Sequence, residues 1–122
     1  MSQPLVPIKW ASEVAEHDYA AAQAYLSLKL EDDAVAKAVK HLRESKLTTR
    51  RANDILRASG LTPAGLADPG VIKDLIKVIE GTKLSPILVL SGKKGAEIAD
   101  GFHRASLVYQ LDPYADVPLK LA

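Results

Sequence analysis

Hydrophobic residues recur along this chain at two spacings, and the change between them divides the sequence near Gly81. Before that point the period is helical; after it, apolar residues run consecutively or alternate, as they do in strands. Tyr19, Ala22, Leu26 and Leu30 form a helical stripe behind Asp18, which predicts a helix with Asp18 as its cap. Val35, Ala38, Val39 and Leu42 repeat the pattern behind Asp32 or Asp33, leaving Lys37, Lys40 and Glu44 facing outward. Ala52, Ile55, Leu56 and Ser59 predict a third helix, capped by Thr48 or Thr49 and ended by Gly60. After the loop Leu61 to Ala67, Asp68 followed by Pro69 starts a fourth, because proline suits the first helical turn. Its expected buried face is Val71, Leu75, Ile76, Val78 and Ile79, and Gly81 stops it. Ahead of all these, Leu5, Val6 and Ile8, broken by Pro4 and Pro7, predict an extended lead-in or edge strand, with Trp10 anchored on the core.

Beyond Gly81 the reading is strand, turn, strand, helix, strand. Pro86 precedes the apolar run Ile87 to Leu90, Gly92 to Gly95 make a turn, and Ala96 to Ala99 return. Asp100 and Gly101 break that strand, Phe102 to Leu111 form a helix ended by Pro113, and Val117 to Leu121 close the chain. The expected fold class is α+β: a mainly helical region over residues 1–81 packed on a small mixed sheet from residues 82–122. A length of 122 residues suits one domain and one core. Aromatic residues are only 5%, so that core is aliphatic.

Charge changes the picture locally rather than globally. The totals, 16 Lys and Arg against 15 Asp and Glu, point neither to nucleic acid nor to a membrane. Between Lys37 and Arg57, however, seven basic residues oppose two acidic ones. Such a run is either the solvated outer face of amphipathic helices or a footprint for nucleic-acid phosphate. It holds no aromatic residue, which argues against stacking on single strands. The run Ile87 to Leu90 is far short of the ~20 residues a spanning helix needs, and Met1 to Trp10 lack the basic start and apolar core of a signal peptide. A cytoplasmic protein with no membrane partner is the expectation. The absence of cysteine excludes disulfides, thiol chemistry and Cys-based metal sites. His17 and His41 stand alone without metal-ligand spacing, so no metal site is expected.

Candidate chemistry concentrates in Ile98-Ala99-Asp100-Gly101-Phe102-His103-Arg104-Ala105, at a strand-to-helix junction. A helix N-terminus presents free N–H groups and partial positive charge, which suit an anion. Gly101 permits an unusual backbone angle and close approach, Arg104 offers a planar fork for phosphate, and His103 donates a hydrogen bond or moves a proton. The alternatives are a structural salt bridge from Arg104 to Asp100 or Asp112, a His103 that ties the turn together, and Asp100 as a helix cap or a ligand to a divalent ion. Phe102 is either core or a ring that stacks on a base. Lys83 and Ser85, just ahead of Pro86, and Arg57 on the third helix are further candidates for the same pocket. Gly92-Lys93-Lys94-Gly95 lacks the spacing and following helix of a phosphate loop and reads as a hairpin turn.

Pro86-Ile87-Leu88-Val89 followed by the Asp100-Gly101-Phe102-His103-Arg104 turn resembles the ParB/sulfiredoxin superfamily. There a Pro-Ile-x-Val strand precedes a strand–Gly-x-(His/Arg)-Arg–helix turn that binds phosphate. Val117-Pro118-Leu119 is similar to the strand that closes that sheet, so the resemblance covers residues 83–121. It implies that Gly101, His103 and Arg104 contact phosphate, with Asp100 as a weaker candidate, and that a nucleotide binds with Mg²⁺. Phe102 stands where sulfiredoxins carry their nucleophilic cysteine, so sulfinic-acid reduction is not implied. It also replaces the glutamate of ParB proteins that bind cytidine triphosphate, while His103 replaces their first arginine. The implied function is phosphate or nucleotide binding, extending to a nucleotide-dependent phosphotransferase or hydrolase. A non-catalytic regulatory or protein-interaction module on the same scaffold, and a weak nucleic-acid-binding protein, are the alternatives. Composition leaves the oligomeric state open, with a homodimer as one option.

Overall fold

A computed structural model describes residues 7–93 and 95–122. Its elements are α1 (Glu16–Leu26), α2 (Asp32–Glu44), β1 (Leu47–Arg51), α3 (Ala52–Ala58), α4 (Pro69–Ile79), β2 (Ile87–Gly92), β3 (Gly95–Asp100), α5 (Phe102–Leu111) and β4 (Asp116–Leu121). The class is α+β, with one mixed sheet in the order β1-β4-β2-β3. The β2 and β3 strands form an antiparallel hairpin, β4 runs parallel to β2 with Ile87 opposite Leu119, and β1 pairs antiparallel with β4 with Thr49 opposite Pro118.

The apolar run Ile87-Leu88-Val89 is unbroken because β2 lies inside the sheet and is covered on both faces. Ile87 and Val89, with Ile98, Val117 and Leu119, pack under α3 and α5 through Ile55, Leu56, Ala105 and Val108. Leu88 and Ala99 face the other way, against Tyr19, Ala22 and Leu26 of α1 and Val35, Val39 and Leu42 of α2. The sheet is thus the middle of three layers. A third cluster, Val71, Val78, Leu84 and Leu107, fastens α4 to the flank of α5. Trp10 is half-buried and bridges to Leu84, whose N–H donates to the Lys9 carbonyl at 2.8 Å, so the predicted anchor is present. Leu5 and Val6 of the predicted lead-in strand, and Lys94 of the hairpin turn, lie outside the described residues.

Several expectations are corrected. Asp18 is not a cap: α1 starts at Glu16, and Asp18 is buried in its first turn. Leu30 lies beyond the end of α1 and is exposed. The α2 cap position is Glu31, so Asp32 and Asp33 occupy the first turn, where their charge complements the helix dipole. Thr48 and Thr49 are strand residues, which places β1 within the region read as helical. This edge strand has no alternating burial to betray it, since Thr48 alone is half-buried. Arg50 and Arg51 charge the strand at the free edge of the sheet, where charge opposes pairing with another chain. Ile76 and Ile79 are exposed rather than buried, because α4 touches α5 along one narrow stripe. The start of α4 is as predicted: Asp68 Oδ1 accepts from the N–H groups of Gly70 at 2.8 Å and Val71 at 3.3 Å. Among the described residues, no helix is long and apolar enough to cross a membrane.

Candidate functional site

Gly101 is where the sheet hands the chain to α5. Its φ of +114° is a left-handed conformation that a side chain disfavours, and a Cβ there would lie 2.4 Å from Ile87 Cγ2. The close approach that glycine permits is therefore to β2 itself. Since Gly101 is the N-cap, no side chain caps α5; the first bond of the helix is Ala105 N–H to the Gly101 carbonyl at 3.0 Å. The N–H groups of Phe102, His103 and Arg104 precede that bond and have no partner within the helix.

Arg104 turns inward. Its side chain is 11% exposed. Nη1 donates to Asp18 Oδ2 at 2.9 Å and to the Ser85 carbonyl at 2.6 Å, and Nη2 donates to Asp100 Oδ2 at 2.6 Å. One guanidinium thus ties together α1, the lead-in to β2 and the end of β3. The bridge to Asp100 was one of the alternatives expected; the bridge to Asp112 is absent. Asp112 sits just past the far end of α5, where its Oδ1 accepts from Tyr114 N–H at 3.0 Å. Burial pushes the Asp100 carboxyl above the usual aspartate range, against the pull of Arg104, and the neighbouring Asp18 carboxylate adds to the rise.

His103 points the other way, toward α4. Half its side chain is exposed, and Nε2 lies 3.3 Å from Asp68 Oδ1, the cap of α4. The ring rests on Gly70, where a Cβ would come within 2.6 Å of it, so the first turns of α4 and α5 meet through this imidazole. The Phe102 ring stands edge-on to His103 at 5.5 Å and also packs against the core, so it fulfils the core reading while lining the cleft.

These residues border a cleft of about 560 Å³. Its floor is Asp100 to Arg104; its walls are Gly70, Lys73, Asp74 and Lys77 of α4, the segment Thr82 to Ser85, and parts of the chain between Ala11 and Asp18. Lys83 and Ser85 lie there as expected, although the Ser85 hydroxyl is engaged in accepting from Ala15 N–H at 3.0 Å. Arg57 does not line the cleft; it pairs with Asp54 on its own helix at 3.2 Å. Sequence reasoning missed Asp18, which it read as a cap, and the α4 stripe of Lys73, Asp74 and Lys77. That stripe was legible as polar spacing in the helix; the position of Asp18 beside Arg104, 86 residues away, was not. Four cations (Lys73, Lys77, Lys83, Arg104) and four carboxylates (Glu13, Asp18, Asp74, Asp100) line the cleft. Lys77 lies 4.0 Å from Asp74, whereas Lys73 and Lys83 have no ion-pair partner among the described residues.

The basic run does not form one patch. Lys37, Lys40 and Arg43 lie on α2, Arg50 and Arg51 on β1, and Arg57 on α3, while α2 and α3 cover opposite faces of the sheet. Arg43 also pairs with Glu16, and Lys40 lies 3.9 Å from Glu44. Among the described residues, no group of three or more His, Asp or Glu gathers to hold a metal ion. Comparison with protein-family models, curated proteins and solved structures found no match.

Proposed function

We propose that this chain is a cytoplasmic binding protein for a small phosphate-bearing ligand, a nucleotide, held in the cleft with its phosphate at the first turn of α5. One observation carries the reading: the uncapped first turn of α5 borders a 560 Å³ cleft that Lys73 and Lys83 line without ion-pair partners among the described residues. Free N–H groups and the helix dipole attract an anion, and ammonium groups add point charges. The volume lies within the range of small-molecule sites. Gly101 and His103 contact the phosphate through the turn, and Phe102 offers its ring to the base. Arg104 is a positioning residue, screening the Asp18 and Asp100 carboxylates from the ligand. The ParB/sulfiredoxin-like turn points to the same chemistry. Mg²⁺ would enter with the nucleotide and be held mainly by its phosphates, because the two carboxylates at the turn, Asp18 and Asp100, are already held by Arg104. Binding is favoured over phosphoryl transfer. A general base needs a free group at the reacting atom, whereas Asp18 and Asp100 engage Arg104, and His103 faces Asp68.

A second reading, a non-catalytic interaction module, is favoured by the burial of Arg104 and its commitment to internal acceptors. A thermal-shift screen separates the two, using nucleoside mono-, di- and triphosphates, phosphate and sulfate, each with and without Mg²⁺. Ligand at ~100 times its dissociation constant adds about 2.7 kcal/mol, roughly 10 °C for a domain of this size. The expected result is a shift in the wild type that disappears in the exposed-lysine variant Lys73→Ala/Lys83→Ala while its unliganded melting point holds. No shift with any ligand overturns the nucleotide reading, and a low melting point for Arg104→Ala then leaves the turn as an internal brace.

A further inference from the structure

Among the described residues, one helix face is left uncovered. Val71 and Val78 of α4 pack inward with Leu107, while Ile72, Ile76 and Ile79 are 38%, 49% and 63% exposed. Spacings of four and three residues align these isoleucines in one stripe about 10 Å long. A shallow groove of about 470 Å³, bordered by Pro69, Ile72, Lys73, Ile76 and Lys77, follows it. Isoleucine is a poor residue for an exposed helix position, since its branched Cβ lowers helix propensity and its side chain gains nothing from water. Single exposed apolar residues are common; three aligned on one stripe mark a contact surface.

The charges beside the stripe select its occupant. Lys73 and Glu80 are seven residues apart and therefore lie on the same flank of the helix, since Glu80 keeps helical angles (φ −76°, ψ −4°) at the C-cap. Both are exposed, and neither has an ion-pair partner among the described residues. When two identical helices pair antiparallel across a two-fold axis, like flanks face each other. With the axis between Ile76 and Lys77, Lys73 of each copy falls opposite Glu80 of the other, while Ile72, Ile76 and Ile79 of both copies interleave. Parallel pairing brings unlike flanks together and leaves both charges unmatched.

From this self-complementarity we infer that α4 is a homodimerisation surface: two copies pair antiparallel on Ile72, Ile76 and Ile79, closed by reciprocal Lys73–Glu80 ion pairs. The contact is a single short helix, at the small end of specific interfaces, so the dimer is weak, with a dissociation constant on the order of 100 μM.

Sedimentation equilibrium from roughly 10 μM to 1 mM tests this. The wild type shifts from monomer to dimer across that range. Ile76→Glu, which sets two carboxylates beside the axis, stays monomeric with an unchanged circular-dichroism spectrum, because the residue is exposed. Lys73→Glu and Glu80→Lys each weaken the dimer several-fold, and the double variant restores it. A monomer throughout overturns the inference, and if the monomer then binds phospholipid vesicles, the stripe belongs to lipid. A dimer indifferent to Ile76→Glu, or one that the double charge exchange fails to restore, overturns it as well.

Discussion

Gly101 and Arg104, three residues apart, show how a short motif acquires structural duty on both sides. Glycine at 101 meets two demands together: a φ of +114° and contact with Ile87 too close for any Cβ. An alanine there combines left-handed strain of about 1–2 kcal/mol with overpacking of about 1–3 kcal/mol. Gly101→Ala should therefore lower stability by about 2–5 kcal/mol and the melting point by roughly 10 °C or more, measured by thermal denaturation. An unchanged melting point would show that β2 yields to the added methyl and that the turn is not held by Ile87. Arg104 illustrates the other side. Its planar fork, which the sequence offers for phosphate, here spans two carboxylates and a carbonyl contributed by three separate segments.

At the scale of elements, the sheet has two outer strands, and each is guarded differently. The β1 edge carries Arg50 and Arg51. On β3, the Glu97 carboxylate accepts from Tyr25 near the end of α1 and from Lys29 just beyond it, fastening the α1 end to the strand. Lys29 first, then Tyr25, holds the Glu97 carboxyl below the usual glutamate range. Because the folded value lies below the unfolded 4.5, the contribution is complete above pH 4.5 and is lost as pH falls through the folded value. The group is partly solvent-screened, so its worth is at most about 1 kcal/mol. Glu97→Gln should lower stability by up to that amount at pH 7, and its deficit relative to the wild type should close as the buffer is acidified below 4.5. Urea unfolding of both proteins at a series of pH values checks it; a deficit independent of pH would assign the loss to packing instead.

For the molecule as a whole, the sheet is assembled from both sides of Gly81. β1 pairs with β4, and Ala52, Ile55 and Leu56 of α3 share one cluster with Ile87, Val89, Ile98, Val117 and Leu119. The helical region is therefore built around strands that come after it. A fragment of residues 1–81 keeps most of the helices but loses the partner of β1 and the sheet face beneath α3. It should show no cooperative urea transition, whereas the full chain should unfold in one. Circular dichroism followed through both titrations decides the point, and a sigmoidal transition in the fragment would show that the helices form a core of their own.

What the sequence determined by itself is local. The stripes of α2 and α3, the Asp68-Pro69 start of α4, the hairpin after Pro86 and the span Phe102 to Leu111 all depend on residues within a turn or two of one another, so spacing and capping suffice to read them. Gly101 as the pivot into α5 belongs here too, because a strand breaker and a helix start stand side by side. Tertiary structure decided the rest. β1 has no pattern of its own, being exposed nearly throughout, and becomes a strand by pairing with β4. Asp18, read as a cap, is buried beside Arg104 across 86 residues of chain. Ile76 and Ile79 match a buried helical face in sequence yet lie outside, because burial depends on what packs against a helix. An isoleucine obeys the same periodicity whether its neighbour is α5 or water, and only the packing of α4 on α5 tells the two apart.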